Sequence, residues 1–214
     1  MDSAIDRVAT APKPPRVDHR LIAEMVAPGA RVLDVGCGDG ELLQLLVDTK
    51  SVDGRGIEIA RERVNACVAR GLSVIQGDAD RDLAHYPDQA FDFAVLSLTI
   101  QATRQPRPVL ENLLRIGRYA IVSFPNFGHW EVRSKLMFTG RMPKTSNLPD
   151  QWWDTPNAHL CTIKDFAELC RSVDAHVERS AAFNWSGRQL STWSPLGLQN
   201  LFAEKAVFLM RRNG

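Results

Sequence analysis

The chain has 214 residues with 44% hydrophobic and 24% charged content, enough to bury a substantial core in one domain. Its formal net charge of +1 supplies no overall field for nucleic acid or an anionic membrane, and no apolar run approaches the roughly 18 residues of a membrane span. Four cysteines without a Cys-x-x-Cys pair or metal-ligand spacing read as reduced thiols, so neither a disulfide scaffold nor a metal site is expected.

Residues 1–16, with Pro12, Pro14 and Pro15, lack the apolar block of a secretory signal and read as a flexible arm on a cytoplasmic protein, ahead of one domain over 17–214. A short helix over 19–26 stops at Pro28-Gly29 and hands over to a buried strand over 31–35. The glycines of Gly36-Cys37-Gly38-Asp39-Gly40 then let the backbone turn sharply, and Leu42, Leu43, Leu45 and Leu46 give the next helix its apolar face. A second strand ends at Glu58, with a helix over 61–70 stopped by Gly71 and a third strand over 72–76 ending in Gly77-Asp78. A fourth strand over 91–98, a helix over 106–116 and a fifth strand over 119–124 continue the alternation that parallel crossovers require. From 125 to 160 the pattern breaks into Gly, Pro, aromatic and basic residues, with one short helix near 132–138; an excursion of that length is often a lid or a binding surface. A helix over 163–173, a sixth strand over 177–184, a long Trp- and Gly-containing connection and a seventh strand over 205–211 complete the chain.

The glycine loop also bears on the ligand. A dinucleotide fingerprint reads Gly-x-Gly-x-x-Gly and seats a pyrophosphate on the following helix, whereas here position 41 is Glu, with Asp39 and Asp34 nearby. Three carboxylates repel a pyrophosphate but suit S-adenosylmethionine (SAM), which has no phosphate and carries a sulfonium and an ammonium. The spacing resembles motif I of class I SAM-dependent methyltransferases. That resemblance implies an α/β Rossmann-like fold: seven strands, mostly parallel, an antiparallel last strand and helices on both faces.

On this reading Asp34, Gly36, Cys37, Gly38 and Gly40 meet the cofactor, Asp34 chiefly by organising the loop's N–H groups or by facing the cofactor's amino group through water. Glu58, about 20 residues past the loop, fits the ribose hydroxyls, with Ile59 beside it; the alternative is a solvated strand-end carboxylate. Asp78 and the N–H of Ala79 fit the adenine edge, or Asp78 is a turn residue. Ser97, in Ser97-Leu98-Thr99-Ile100-Gln101, lies beside the methionine portion or is a polar strand exit.

Three segments are more distinctive: Phe124-Pro125-Asn126-Phe127-Gly128-His129-Trp130, Gly140-Arg141-Met142-Pro143 and Trp152-Trp153-Asp154-Thr155-Pro156-Asn157-Ala158-His159-Leu160-Cys161-Thr162. Together they resemble the MetW family of methionine-biosynthesis proteins over about 18–211, with Leu98 and Trp153 standing where that family favours Gln and Tyr. The resemblance implies a SAM- or S-adenosylhomocysteine-binding (SAH-binding) protein that works with a MetX-type homoserine O-acyltransferase, whether an O-acetyltransferase or an O-succinyltransferase. It does not establish methyl transfer. Such a partner could report methionine status through differential affinity for two states of a complex.

For a methyltransferase acting on a small acceptor, the available bases are His129 and His159, though a hydrogen-bonded structural histidine is the plainer reading of each. No Gly-x-Ser-x-Gly elbow is present, so acyl transfer would belong to the partner. All five tryptophans follow the fifth strand, and Trp130, Arg133, Arg141, Trp152 and Trp153 are the candidate partner anchors, with core packing the plainer alternative for any one Trp. The basic residues between 104 and 144 lack an aromatic stacking platform and read as solvated faces or protein contacts rather than a nucleic-acid site.

Overall fold

The computed structural model describes residues 15–145, 148–184, 186–191 and 194–213. The elements in chain order are α1 (Val17–Met25), β1 (Arg31–Val35), α2 (Glu41–Lys50), β2 (Asp53–Glu58), α3 (Arg61–Ala69), β3 (Ser73–Gln76), α4 (Ala79–Asp82), β4 (Phe91–Ser97), α5 (Pro106–Ile116), β5 (Gly117–Pro125), α6 (Trp130–Thr139), α7 (Ile163–Ser172), β6 (Ala175–Phe183), α8 (Leu196–Phe202) and β7 (Lys205–Arg212). Single 3-10 turns follow α4 and β4, at Leu83–His85 and Ile100–Ala102. The seven strands form one sheet in the order β3-β2-β1-β4-β5-β7-β6. The first five are parallel, and β7 runs antiparallel to both β5 and β6. This is the expected doubly wound arrangement with an antiparallel last strand.

The central strands are apolar on both faces because successive side chains enter opposite cores. In β4, Phe93 and Val95 join Ile22 of α1 and Leu46 of α2, while Ala94 and Leu96 join Leu113 of α5 and Phe166 of α7. β5 divides likewise, with Ile121 on the first side and Val122 and Phe124 on the second. Phe124, Phe166 and Phe208 meet at centroid distances of 4.6–5.8 Å, clamping α7 to the antiparallel end of the sheet. Full burial of one such ring is worth about 1.5–3 kcal/mol. Thr162 and Asp165 close a capping box that fixes where α7 begins.

Three features depart from the sequence expectation. Strand β4 ends at Ser97 because Leu98 adopts φ +50 and leaves the ladder. Helix α8 falls in what reads as a structureless connection: its Leu196, Leu198 and Phe202 are exposed while Gln199 and Asn200 are buried, so hydrophobic periodicity points to the wrong face. Of the expected arm, residues 1–14 lie outside the described residues, whereas Arg16 packs on the domain through a paired contact with the buried Asp18.

Candidate functional site

The crevice lies where the sheet order reverses, at the carboxyl ends of β1 and β4. Chain geometry there is set by glycine. Gly36 has φ +68, and a Cβ on it would meet Thr99 Cγ2 at 2.7 Å. At Gly40, with φ +74, a Cβ would come within 2.6 Å of Leu72. A Cβ on Gly38, by contrast, would have only Arg63 at 3.8 Å near it, which leaves room for a ligand against the backbone.

The loop's amides are held from β2. Gly36 N and Cys37 N both donate to Ile57 O, at 2.8 and 3.2 Å. Gly38 N donates to Glu58 Oε2 at 2.8 Å, and Ala60 N donates to Glu58 Oε1 at 3.0 Å. Glu58 is therefore buried at the loop with each oxygen already accepting one N–H, and each keeps acceptor capacity. This corrects the role given to Asp34: the loop is organised by Glu58 and Ile57 O. Asp34 is 1% exposed, and neither of its oxygens has a partner among the described residues. Burial, reinforced by the charge of Glu58 and only partly offset by Arg16, pushes its carboxyl up to about 7.

Asp34 lines a cavity of about 310 Å³ with Gly36, Gly38 and Ser97, and with Arg16 and His19 from the start of α1. Asp39 and Glu41 line it as well, so acids flank it as the loop composition implies. Arg16 Nε donates to Asp18 Oδ1 at 3.1 Å, with a second contact from Nη2 to Oδ2. Burial pushes the Asp18 carboxyl up, but the Arg16 hydrogen bonds and charge outweigh it and hold it below the ordinary value. Burial and the Arg16 charge push His19 down, so it is neutral at pH 7. Sequence reasoning missed this trio. The signal was present: Asp18 shares the buried helical stripe of Leu21, Ile22 and Met25, where an unpaired carboxylate is costly.

The other expected cofactor residues follow Glu58 at the neighbouring ends of β2 and β3, where Gly77 N donates to Glu58 O at 3.0 Å and Gln76 Nε2 donates to Ile59 O at 3.2 Å. Asp78 Oδ1 accepts from Asp80 N at 2.9 Å and Oδ2 pairs with Arg81 at 3.4 Å, so the carboxylate caps α4, the turn role weighed as its alternative. Ala79 begins that helix, and Ile59 lies 62% exposed beside Glu58. Cys37 lines the cavity, but burial raises its thiol far above the ordinary value, which leaves it inert; all four cysteines are free.

The excursion builds a different surface. Asn126 is 3% exposed and its amide donates to Asn200 O at 2.8 Å and Ala203 O at 2.6 Å, while Oδ1 accepts from Gly128 N at 2.9 Å and Ile163 N at 3.3 Å. The distinctive Pro-Asn-Phe-Gly run is thus a staple joining β5, α7 and α8. His129 is buried against Trp130, with centroids 5.6 Å apart, and burial pushes its imidazole down. His159 is exposed; its N donates to Gln101 O at 2.9 Å and its Nε2 lies 3.3 Å from Arg104 O, so it pins the loop. Neither histidine lines the glycine-loop cavity.

A groove of about 780 Å³ runs between Phe127, Met142, Leu160 and the edge-to-face pair Trp152 and Trp153, with Arg141 and Lys144 on its rim. Trp130, Trp152 and Trp153 are 51%, 68% and 63% exposed, so core packing is excluded for these three; Trp185 and Trp193 lie outside the described residues. Arg133 Nε donates to Gly128 O at 2.6 Å, and Arg141 is exposed. Among the described residues no group of three or more His, Cys, Asp or Glu side chains is placed to hold a metal ion, and no helix is long and apolar enough to cross a membrane.

Comparison with known proteins brings these features together. The family described as "Methionine biosynthesis protein MetW" matches residues 16–210. A bifunctional methionine biosynthesis protein MetXA/MetW of Rhodopirellula baltica is 34% identical over 205 residues, which cover 92% of this chain and 33% of that protein. The chain thus spans about a third of that relative's length. Among solved structures, a SAM-dependent methyltransferase of Mesorhizobium loti superposes with a TM-score of 0.67 at 15% identity, covering 92% of this chain and 98% of that one. One from Thermotoga maritima gives 0.61 at 16% identity, covering 91% and 87%. At these identities the structural likeness concerns the fold.

Proposed function

The chain belongs to the MetW family, and from that premise we propose that it binds SAM or SAH at the glycine loop and works as the partner or regulatory subunit of a MetX-type homoserine O-acyltransferase, acetyl or succinyl. The observation that carries the ligand half is Asp34. A fully buried carboxylate with no partner is expensive in the protein alone and finds compensation in a cation. A ligand that brings an ammonium and a sulfonium fits it; a diphosphate does not. Glu58 has acceptor capacity left for ribose hydroxyls, and the space over Gly38 admits close approach to the backbone. When bound, SAM supplies an electrophilic methyl group; the protein's own residues supply shape, hydrogen bonds and charge.

The partner half is supported by the fused relative, whose name joins MetXA to MetW in one polypeptide. It is also supported by the uncovered tryptophans over the groove, a residue type over-represented among binding anchors. Methyl transfer to a small acceptor is the second reading, and His19 is the observation in its favour, as the neutral imidazole lining the cavity.

Calorimetry with SAM, SAH and NAD tests the ligand: binding of the first two and none of the third is expected, and a preference for NAD overturns it. Co-purification and acyltransferase assays with and without this chain, run beside a labelled-methyl assay on cell extract, separate subunit from methyltransferase. Label incorporated with no effect on the acyltransferase would favour the second reading.

A further inference from the structure

Helix α6 carries its apolar side chains outward. Of its ten residues Val132 is the one that is buried. Met137 and Phe138 are each 80% exposed, and Trp130 and Leu136 are exposed with them. We infer that α6 is a docking helix, whose outer face seats in an apolar trough with an acidic rim on a partner protein. The inference rests on the partner half of the reading above and assigns it a second contact element and the charge of the surface that meets it.

Spacing defines the face. Trp130, Ser134, Met137 and Phe138 recur at i, i+4, i+7 and i+8, so they share the side of the helix turned away from Val132. That is the spacing by which a helix presents anchors to a groove. Two large apolar side chains left in water forgo the burial that would stabilise them, and a covering surface restores it. The helix is nevertheless held in place. Arg133 ties it to Gly128 O, Lys135 Nζ donates to Glu131 Oε1 at 2.7 Å and to Lys144 O at 2.9 Å, and Gly140 ends it with φ +62, its N donating to Leu136 O at 3.0 Å. A ten-residue helix is marginal alone in water, so these ties preset the face that docks and reduce the ordering cost of binding. The chain leaving the helix, Gly140 to Lys144, lines the groove together with Trp152 and Trp153, which makes the helix end and the groove one surface.

Charge identifies the occupant. Residues 130–144 hold Arg133, Lys135, Arg141 and Lys144 against Glu131, a net +3 in a chain whose total is +1. Glu131 is engaged by Lys135, and Arg133, Arg141 and Lys144 have no ion-pair partner among the described residues. Asp150 lines the groove beside Arg141 and Lys144, and Asp154 follows Trp153; these acids lie past the helix and leave its own charge positive. A second copy of this chain, docked face to face, would set +3 against +3, whereas a carboxylate-rimmed surface is attracted. The fused relative, whose name joins two proteins in one polypeptide, favours a protein over a lipid surface.

The test measures binding of the full chain to a MetX-type acyltransferase from the same genome by biolayer interferometry. Met137→Ala with Phe138→Ala should weaken that binding by about tenfold or more while SAH affinity and the thermal midpoint stay at wild-type values, because neither side chain is buried. Arg141→Glu with Lys144→Glu should slow association by about tenfold at low salt and flatten the salt dependence shown by the wild type. Phosphatidylglycerol vesicles and sedimentation of the chain alone are run alongside, with no vesicle binding and a monomer expected. Wild-type affinity in the Met137 and Phe138 variant overturns the docking helix and leaves the partner reading standing on the groove. A lowered thermal midpoint there shows that the two side chains serve the fold and overturns it too. Association unchanged or faster after charge reversal removes the acidic rim and the inference with it. Vesicle binding or self-association that the Met137 and Phe138 variant abolishes assigns the face to lipid or to a second copy, and equally overturns it. Failure of the wild type to bind the acyltransferase overturns the partner reading and the docking helix together.

Discussion

At the glycine loop the carboxylates of Asp34 and Glu58 are buried and the backbone is tightly held; in the segment over 125–160 the tryptophans lie in solvent and, among the described residues, the most deeply buried polar side chain is Asn126. Each region inverts the ordinary rule that charge faces water and aromatic rings face the core. The inversions have different remedies. A buried acid without a partner calls for a small cation that enters the protein, whereas an exposed aromatic cluster calls for a second surface laid over it. On the proposed reading the two regions differ in kind, one a receptor for a metabolite and the other a face for a macromolecule, and no residue lines both cavities.

That contrast can be broken in order of expected effect. Asn126→Ala removes four buried hydrogen bonds that staple β5, α7 and α8, and should lower stability by about 3–5 kcal/mol in urea denaturation. Retention of wild-type stability would show that the excursion is not stapled there. Gly36→Ala forces a Cβ against Thr99 at positive φ, and should cost about 2–4 kcal/mol together with nucleoside affinity.

Asp34→Asn should move the other way. Because burial raises the folded carboxyl to about 7, the folded protein takes up a proton more readily than the unfolded chain, and stability is lost as pH climbs from the ordinary carboxylate range through 7. The amide variant should therefore gain about 1–3 kcal/mol at pH 8 while losing SAH binding. In the wild type, SAH affinity should fall about tenfold from pH 8 to pH 6, as the carboxylate that meets the ammonium is protonated. A flat profile would remove Asp34 from the ligand. The double variant Trp152→Ala with Arg141→Ala should change stability by less than about 0.5 kcal/mol and leave nucleoside affinity within a few-fold, while weakening acyltransferase binding by about tenfold or more. A large loss of stability there would show that these side chains serve the fold.

Much of the architecture was legible because strands buried on both faces announce themselves as continuous apolar runs, and glycine marks the bend after β1 as surely as any side chain does. The acids of the loop were legible as a group, but their division of labour was not. Which of Asp34 and Glu58 receives the loop's N–H groups depends on a register between β1 and β2 that no local pattern encodes. Asp78 was legible as a strand-end acid but its cap on α4 was not, because the acids at 78, 80 and 82 all accept backbone N–H groups in a short helix that no hydrophobic period announces. Helix α8 was hidden because its buried face is amide and its outer face apolar. Asp18 and Arg16 went unnoticed for a related reason: a polar pair on an apolar helix stripe becomes meaningful only once the neighbouring strand end is in place.

The sheet order has a further consequence. β7 lies between β5 and β6, yet it is made after both, and β6 finds its pairing in the sheet through β7. On a ribosome adding about 5–20 residues per second, the nascent chain therefore carries an open β5 edge for several seconds before the strand that covers it emerges. During that interval the chain offers a strand-sized vacancy beside Val122 and Phe124, an invitation to chaperones and to neighbouring chains alike.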